Sequence, residues 1–459
     1  MNQKERLSVI GLGKLGSTML ACFAHKKWEV IGVDINQNFV DTINRGHSPI
    51  YEPHVEELIN LNKKRIEATV ETEFAVLHSD VSFIIVPTPS MKDGSFSTQY
   101  VEEAALEIAK ALQKKDSYHV IVITSTVLPG DTARIAGMIA ELSGKELGKD
   151  FGVCYNPDFI ALGKIVHDFL NPDMILIGES DERAGSVVEG IHKRLADNNP
   201  PIYRMNFYNA ELSKISLNAY LTLKITFANT IAEICEKMPG GDSDVVLQAV
   251  GSDTRVGHKY FRGGLAFSGP CLPRDNCALS HTAKGYGVTK TFCDTTDEIN
   301  EFHKTERICN LLTGYLKEKG TNEMAVLGLS YKEDTPVIEE SVSIAVIETL
   351  SKKGIKLSLY DPAAMESTED YLAQMNHEGK FSYPLNITFA ATAYECVKGK
   401  SVCFIATPWK QFLDLESKEL LEVMGDDSII LDAWRILPFN KISSPDKKKT
   451  IEVRRIGKN

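Results

Sequence analysis

The chain contains no run approaching roughly 18 consecutive apolar residues and no signal-type apolar stretch after its charged opening, MNQKERLSVIGLG. Neither a membrane span nor a secretion signal is therefore expected, and the protein is read as cytoplasmic. No CxxC pair occurs among the 9 cysteines, an odd number without regular spacing. That argues against a disulfide framework and a structural zinc site, so no metal is expected. Positive charge is also scarce: 51 Lys and Arg face 62 Asp and Glu, for a formal net charge of -11. Basic runs are short, Lys447 to Lys449 and Arg454 to Lys458 lying in the last 13 residues, which makes nucleic acid an unexpected partner. Repeats and low-complexity tracts are missing too, which argues against a disordered chain.

What is present is a globular composition, 43% hydrophobic and 25% charged, over 459 residues. That length exceeds one ordinary core, so two or three domains are expected. A few cations converging in a cleft could still bind an anionic substrate despite the net charge.

The stretch RLSVIGLGKLGSTMLACFAHKKWEVIGVDIN reads as a strand (Leu7 to Ile10), a glycine turn, a helix (Lys14 to His25) and a second strand (Glu29 to Asp34). Gly11, Gly13 and Gly16 form GxGxxG in the context that gives it meaning. Gly11 allows the turn, Gly13 lets a pyrophosphate approach the backbone, and Gly16 lets helix and strand pack closely. Phosphate would then rest on the turn, Leu12 to Leu15 with Lys14, at the positive helix end. Asp34 ends the second strand where a carboxylate accepts from ribose hydroxyls and repels a 2'-phosphate, so NAD is the expected cofactor. Further apolar strands at 81 to 89 and 119 to 130 continue a β/α alternation. They place Thr88, Ser125 and Thr126 at strand ends, where ligands bind and where hydroxyls are also ordinary turn residues.

From Ala210 to Lys237 neither proline nor glycine interrupts an apolar pattern at helical spacing. The pattern predicts a helix about 40 Å long, apolar around much of its circumference and largely buried. Lys214 and Asn218, four apart, share one face of it. A lysine there is either a snorkelling side chain or a group that handles protons and oxyanions. Cys271, in SGPCLPRD, precedes a helix that Pro273 can begin and that runs to about Lys284. The helix dipole and a nearby cation favour a thiolate, while a buried, inert thiol is the alternative.

Taken together, GLGKLG with VDIN, GHSPIYEPHVEEL (46 to 58), STVLPG (125 to 130), NPDFIALG (156 to 163), NPDMILIG (171 to 178), ELSKISLNAY (211 to 220), RVGHKYFRGGLAFSGPCLPRD (255 to 275), GLSYKEDT (328 to 335), YDP (360 to 362) and LDAWRIL (431 to 437) resemble the UDP-glucose/GDP-mannose dehydrogenases along the whole chain. The resemblance implies two Rossmann-like, doubly wound parallel-sheet α/β domains joined by a long central helix and a small helical domain. Residues 1–199 would bind NAD, 200–303 would carry the cysteine, and 304–459 would bind the nucleotide half of the substrate.

It further implies oxidation of a sugar C6 alcohol to a carboxylate with two NAD. Cys271 would be the nucleophile that forms a thiohemiacetal and then a thioester. Lys214 and Asn218 would stabilise charge on oxygen, and Asp275 with Lys214 would order the water. Asp158 stands where the family usually has a glutamate that assists hydrolysis, and Thr126 would lie beside cofactor and chemistry. Phe159, Ile160, Phe267, Gly269, Lys332 and Arg435 would contact the nucleotide sugar, as would Arg255, reaching across a dimer interface whose spine is the long helix, in a homodimer or higher homo-oligomer. UDP-glucose is the first substrate indicated. GDP-mannose or another nucleotide hexose, a single-step β-hydroxyacid dehydrogenase and a non-catalytic sugar-nucleotide binder are the alternatives.

Departures from the family pattern are also visible. Asp158 is one methylene shorter than glutamate. Leu162 replaces a second glutamate, and Val337 and Glu339 replace an aspartate and an arginine, which predicts weaker NAD binding. Ser268 replaces a glycine before the cysteine.

Overall fold

The computed structural model describes residues 5–380 and 386–459. Its chain divides into two compact units, Met1–Leu217 with His281–Gly287, and Asn218–Ser280 with Val288–Asn459.

The first unit is built on eight strands: β1 (Arg6–Ile10), β2 (Glu29–Val33), β3 (Ile66–Thr69), β4 (Val81–Ile84), β5 (His119–Ile123), β6 (Phe151–Tyr155), β7 (Ile175–Glu179) and β8 (Ile202–Met205). They lie in the order β3-β2-β1-β4-β5-β6-β7-β8, so the chain reverses direction across the sheet between β1 and β4. That crevice is where open α/β sheets take ligands. All pairs are parallel except β6 with β7. Alternate residues bury on opposite faces. Leu7, Val9, Val120 and Val122 enter one core, Ile10, Ile84, Ile121 and Ile123 the other. Near-continuous Val and Ile runs are what a sheet covered on both faces requires.

The second unit repeats the scheme with β9 (Glu323–Leu327), β10 (Lys356–Tyr360), β11 (Ile387–Phe389), β12 (Val402–Ile405), β13 (Asp427–Asp432), β14 (Lys441–Ser443) and β15 (Thr450–Arg455). The order is β11-β10-β9-β12-β13-β15-β14, and among the described residues only the β14–β15 pair is antiparallel. Met324 and Val326 face one core, Ala325 and Leu327 the other.

The uninterrupted apolar pattern forms one helix, Phe207–Lys237. It is less buried than the pattern suggested. Tyr220, Phe227 and Ile234, seven residues apart, are 51%, 46% and 52% exposed. The apolar arc is wider than the surface its own chain supplies to cover it, so one line of large side chains faces out. Among the described residues no helix is long and apolar enough to cross a membrane.

Candidate active site

The first glycine turn is tight at Gly11 and Gly16 and open at Gly13. Gly11 has φ 98°, and a Cβ there would fall 2.4 Å from the Ile85 carbonyl oxygen; at Gly16 it would fall 1.8 Å from that of Gly11. At Gly13 a Cβ would meet nothing within 4 Å, so the backbone is open on the side where a phosphate would approach. The helix Lys14–His25 begins with no acidic residue in its first turn and no side chain capping it, leaving its N–H groups available to an anion. Asp34 is partly exposed at the end of β2. Its Oδ2 accepts from Leu12 N at 2.7 Å and its Oδ1 from Asn36 N at 2.8 Å. Leu12 is buried beneath the turn and Leu15 packs on the first core, so both shape the cradle from below. These residues fit a dinucleotide: main chain for the pyrophosphate and a carboxylate for the ribose.

The neighbouring strand ends are tied together. Thr88 Oγ1 donates to the Thr126 carbonyl at 2.9 Å, while Ser125 Oγ donates to Val86 O at 2.7 Å and accepts from Val86 N at 2.9 Å. Ser125 is thus consumed as a strand tie, whereas Thr126 stays partly exposed.

After β6 the chain enters Asn156–Pro157–Asp158–Phe159. Lys214, 9% exposed, donates from Nζ to the Asp158 carbonyl at 2.6 Å and stands 4.7 Å from the Phe159 ring centroid. The Asp158 residue is only partly buried, but its Oδ2 is fully buried without a hydrogen-bond partner. Burial pushes its carboxyl up to about 7, and the positive charge of Lys214 opposes that rise. Ile160 and Leu162 both pack on the first core, so Leu162 fills apolar space where the family pattern has an acid.

In the second unit Cys271 immediately precedes the helix Leu272–Gly285. Its carbonyl accepts from Asp275 N at 2.9 Å, which makes Cys271 the residue that opens the first turn. Cys271 is exposed, whereas seven of the other eight cysteines are buried. Cys277 is exposed as a residue, but its sulfur is turned against Asp297. Its thiol is pushed up to about 12 by desolvation and then by that carboxylate, so Cys277 is inert as a nucleophile. Asp275 is 3% exposed, and its Oδ2 accepts from Asn218 Nδ2 at 2.6 Å.

The loop before the cysteine is held by two buried asparagines whose roles sequence reasoning missed. Asn229 accepts from Gly264 N at 2.8 Å and donates to Leu265 O at 2.9 Å. Asn300 accepts from Phe267 N at 2.8 Å and donates to Phe267 O at 3.0 Å. Gly269 has φ 83°, and a Cβ there would fall 2.5 Å from the Tyr331 ring, so only glycine passes. Lys332 Nζ stands 5.8 Å from that ring's centroid.

Arg255 is exposed along 86% of its side chain and gripped by Asp253, with Nε to Oδ1 at 3.0 Å and Nη2 to Oδ2 at 2.7 Å. Arg435 faces the protein instead. Its Nη1 and Nη2 donate to Ile456 O and Gly263 O, both at 2.6 Å, and its Nε lies 3.0 Å from Asp244 Oδ2.

Two buried acids were also overlooked. Glu211, fully buried, accepts from Gly130 N and Thr132 N, each at 2.8 Å, at the start of the helix Asp131–Ser143. Glu52 accepts from Gly163 N and Ile165 N, each at 3.1 Å, anchoring the far end of the Asp158 loop. An acid three residues before Lys214, and another inside GHSPIYEP, were the available signals. Among the described residues no group of three or more His, Cys, Asp or Glu could hold a metal ion.

Comparison with known proteins gives three consecutive matches. The family description "UDP-glucose/GDP-mannose dehydrogenase family, NAD binding domain" covers residues 5–196, its central domain covers 208–302 and its UDP binding domain 325–438. A UDP-glucose 6-dehydrogenase of Haloferax volcanii is 33% identical, over 94% of this chain and 97% of that protein. A GDP-mannose 6-dehydrogenase of Pseudomonas aeruginosa is 36% identical, over 78% of this chain and 81% of its own. The structure of a UDP-glucose dehydrogenase from Pyrobaculum islandicum superposes with a TM-score of 0.82 at 31% identity, covering 94% of each chain.

Proposed function

This chain belongs to the UDP-glucose/GDP-mannose dehydrogenase family and is an NAD-dependent oxidoreductase, and from that premise we infer that it oxidises the C6 hydroxyl of UDP-glucose to a carboxylate through a thioester on Cys271. Membership in that family displaces the single-step β-hydroxyacid reading. The observation that carries the inference is the exposed Cys271 at the head of its helix, one turn from an Asp275 held by Asn218. UDP-glucose is preferred because the UDP-glucose relative aligns over nearly its whole length and the third match describes a UDP binding domain.

Bound NAD would supply the hydride acceptor for both oxidations, held by the turn Gly11 to Gly16, by Asp34 and by the edge formed by Thr88 and Thr126. Lys214 and Asn218 offer N–H groups to the C6 oxygen as charge develops on it. At the aldehyde level the Cys271 thiolate adds to C6, forming the C–S bond and retaining the intermediate. At the acid level water adds to the thioester, the C–S bond breaks and the thiolate is restored. Asp275 and Asp158 are the carboxyls assigned to order that water and take up its proton.

Residues 1–199 would hold NAD, 200–303 the nucleophile, and 304–459 with Lys332 the nucleotide. Phe159, Ile160, Phe267 and Gly269 would shape the sugar pocket. Arg435 would act through Gly263, which it grips. The exposed line Tyr220, Phe227, Ile234 and the outward Arg255 support a homodimer.

The decisive test is a sugar-nucleotide panel with NAD, followed by NADH absorbance. UDP-glucose is expected to yield two NADH per sugar, and Cys271→Ala to lose at least about a thousandfold in acid formation. One NADH per sugar, or an active Cys271→Ala, removes the thioester. Faster turnover of GDP-mannose keeps the chemistry and reassigns the substrate.

A further inference from the structure

Asp158 can serve hydrolysis only if its short side chain is held in place, and the Asp158 loop shows how that is done. Asn156, 3% exposed, donates from Nδ2 to Leu176 O on β7 at 2.9 Å, and its Oδ1 lies 2.6 Å from His192 Nε2. With the amide oriented this way Oδ1 is an acceptor, so His192 carries its proton on Nε2 and donates it. Burial lowers His192 to about 4, which keeps the ring neutral and that proton in place at neutral pH.

A second geometric fact concerns the far side of the loop. Asn156, Asp158, Asp168, Phe169 and His192 line a small, partly open pocket of about 30 Å³, enough for one water, and Asp158 Oδ2 itself is buried and unpartnered. His192 also lines a surface cleft of about 270 Å³ with Glu189, Lys193 and Pro200. His192 thus borders both pockets, and it is bonded to the residue two places before Asp158.

We propose that His192 is a positioning residue for thioester hydrolysis: through Asn156 it fixes the loop that carries Asp158. This rests on the assignment of Asp158 to the hydrolytic step. An aspartate is one methylene shorter than glutamate and has no slack, and a misplacement of about 1 Å costs on the order of a hundredfold. Glu52 holds the other end of the same loop at Gly163 and Ile165, and Lys214 holds the Asp158 carbonyl, so loss of the His192 bond loosens the Asn156 end only. The first oxidation, which does not need Asp158, should survive.

The test compares wild type, His192→Phe and His192→Gln at saturating UDP-glucose and NAD. It records rapid-mixing NADH formation, steady-state kcat and KM, and the intact mass of the enzyme during turnover. For His192→Phe the rapid NADH phase should persist while kcat falls about 10- to 100-fold. KM for the sugar should change less than about threefold, and an acyl-enzyme adduct should accumulate. Glutamine can again donate to Asn156 and should return kcat to within about threefold of wild type. If phenylalanine prevents folding, His192→Met fills the space without a donor and is judged by the same criteria. A variant lacking the donor but turning over like wild type overturns the proposal. So does an equal loss in the rapid phase and in kcat, or a glutamine variant as slow as phenylalanine. The underlying reading fails separately, if wild type itself gives one NADH per sugar.

Discussion

Each sheet starts with a strand, a glycine at positive φ and an aspartate just beyond the next strand: Gly11 with Asp34 in the first unit, Gly328 with Asp361 in the second. The glycines have φ 98° and 95°, and a Cβ would fall 2.4 Å from Ile85 O at one and 2.6 Å from Thr407 N at the other. Two residues on, the turns diverge. Gly13 faces open space, whereas Ser330 is 1% exposed, donates from Oγ to Asp361 and accepts at its carbonyl from Thr407 Oγ1. The carboxylates diverge in the same direction. Asp34 takes two backbone N–H groups and remains partly exposed. Asp361, 1% exposed, accepts from Leu329 N, Ser330 N, Ser330 Oγ, Ala363 N, Ala364 N and Trp409 Nε1. The shared topology therefore does not assign a cofactor to a sheet. What decides is whether the carboxylate's lone pairs still face solvent or are already occupied by the protein.

The contrast can be broken hardest at the two aspartates. Asp361→Ala leaves several buried donors unsatisfied and should cost at least about 4 kcal/mol, read as a lower urea midpoint for the second unit. Asp34→Ala should cost only about 1 kcal/mol, while the Kd for NAD in titration calorimetry rises about tenfold or more.

Acid offers a second contrast, because the strands of the second sheet contain no histidine while β5 carries His119. Burial lowers His119 to about 3 and His192 to about 4 in the first unit, against one such group, His303 at about 4, in the second. Each is lowered relative to an ordinary value of about 6.5, so the unfolded chain binds the proton first. Stability is complete above about 6.5 and is lost as pH falls toward 4, by several kcal/mol per fully buried ring. Hydrogen exchange across that window should show the first unit opening before the second, and His119→Asn should flatten its pH dependence.

The smallest contrast lies at the glycines. Gly328→Ala places a Cβ in a left-handed, crowded site and should cost about 2 kcal/mol or more. Gly13 sits at φ -66°, so Gly13→Ala should move the thermal midpoint by less than a few degrees and still weaken NAD about tenfold. Equal effects of the two substitutions on stability would erase the distinction.

These differences explain what could be read ahead of the structure. The glycine turn, its flanking strands, the long helix and the helix after Cys271 announce themselves through short-range patterns, and they formed within a few residues of where those patterns place them. The Asp361 staple does not, because Leu329 and Trp409 come to it from 32 and 48 residues away. Glu52 is likewise 111 residues from Gly163, and nothing local marks its carboxylate as a loop anchor. The direction of a side chain is equally illegible. NPDFIALG shows a carboxylate, but not that Lys214 would bond to its main chain while Oδ2 was buried without a partner. An apolar helix pattern reports which residues need covering without reporting whether the same chain covers them, which is why the helix was expected to be largely buried while Tyr220, Phe227 and Ile234 lie exposed.

The open space at Gly13 has a consequence for how such a site is detected. A binding surface made of peptide groups has nothing that truncation can remove, so an alanine scan that trims side chains would pass over the most discriminating part of this turn and credit Asp34 alone. The cradle becomes visible only by addition, when a methyl group is placed where the protein has left room and ligand loss is measured against an intact fold.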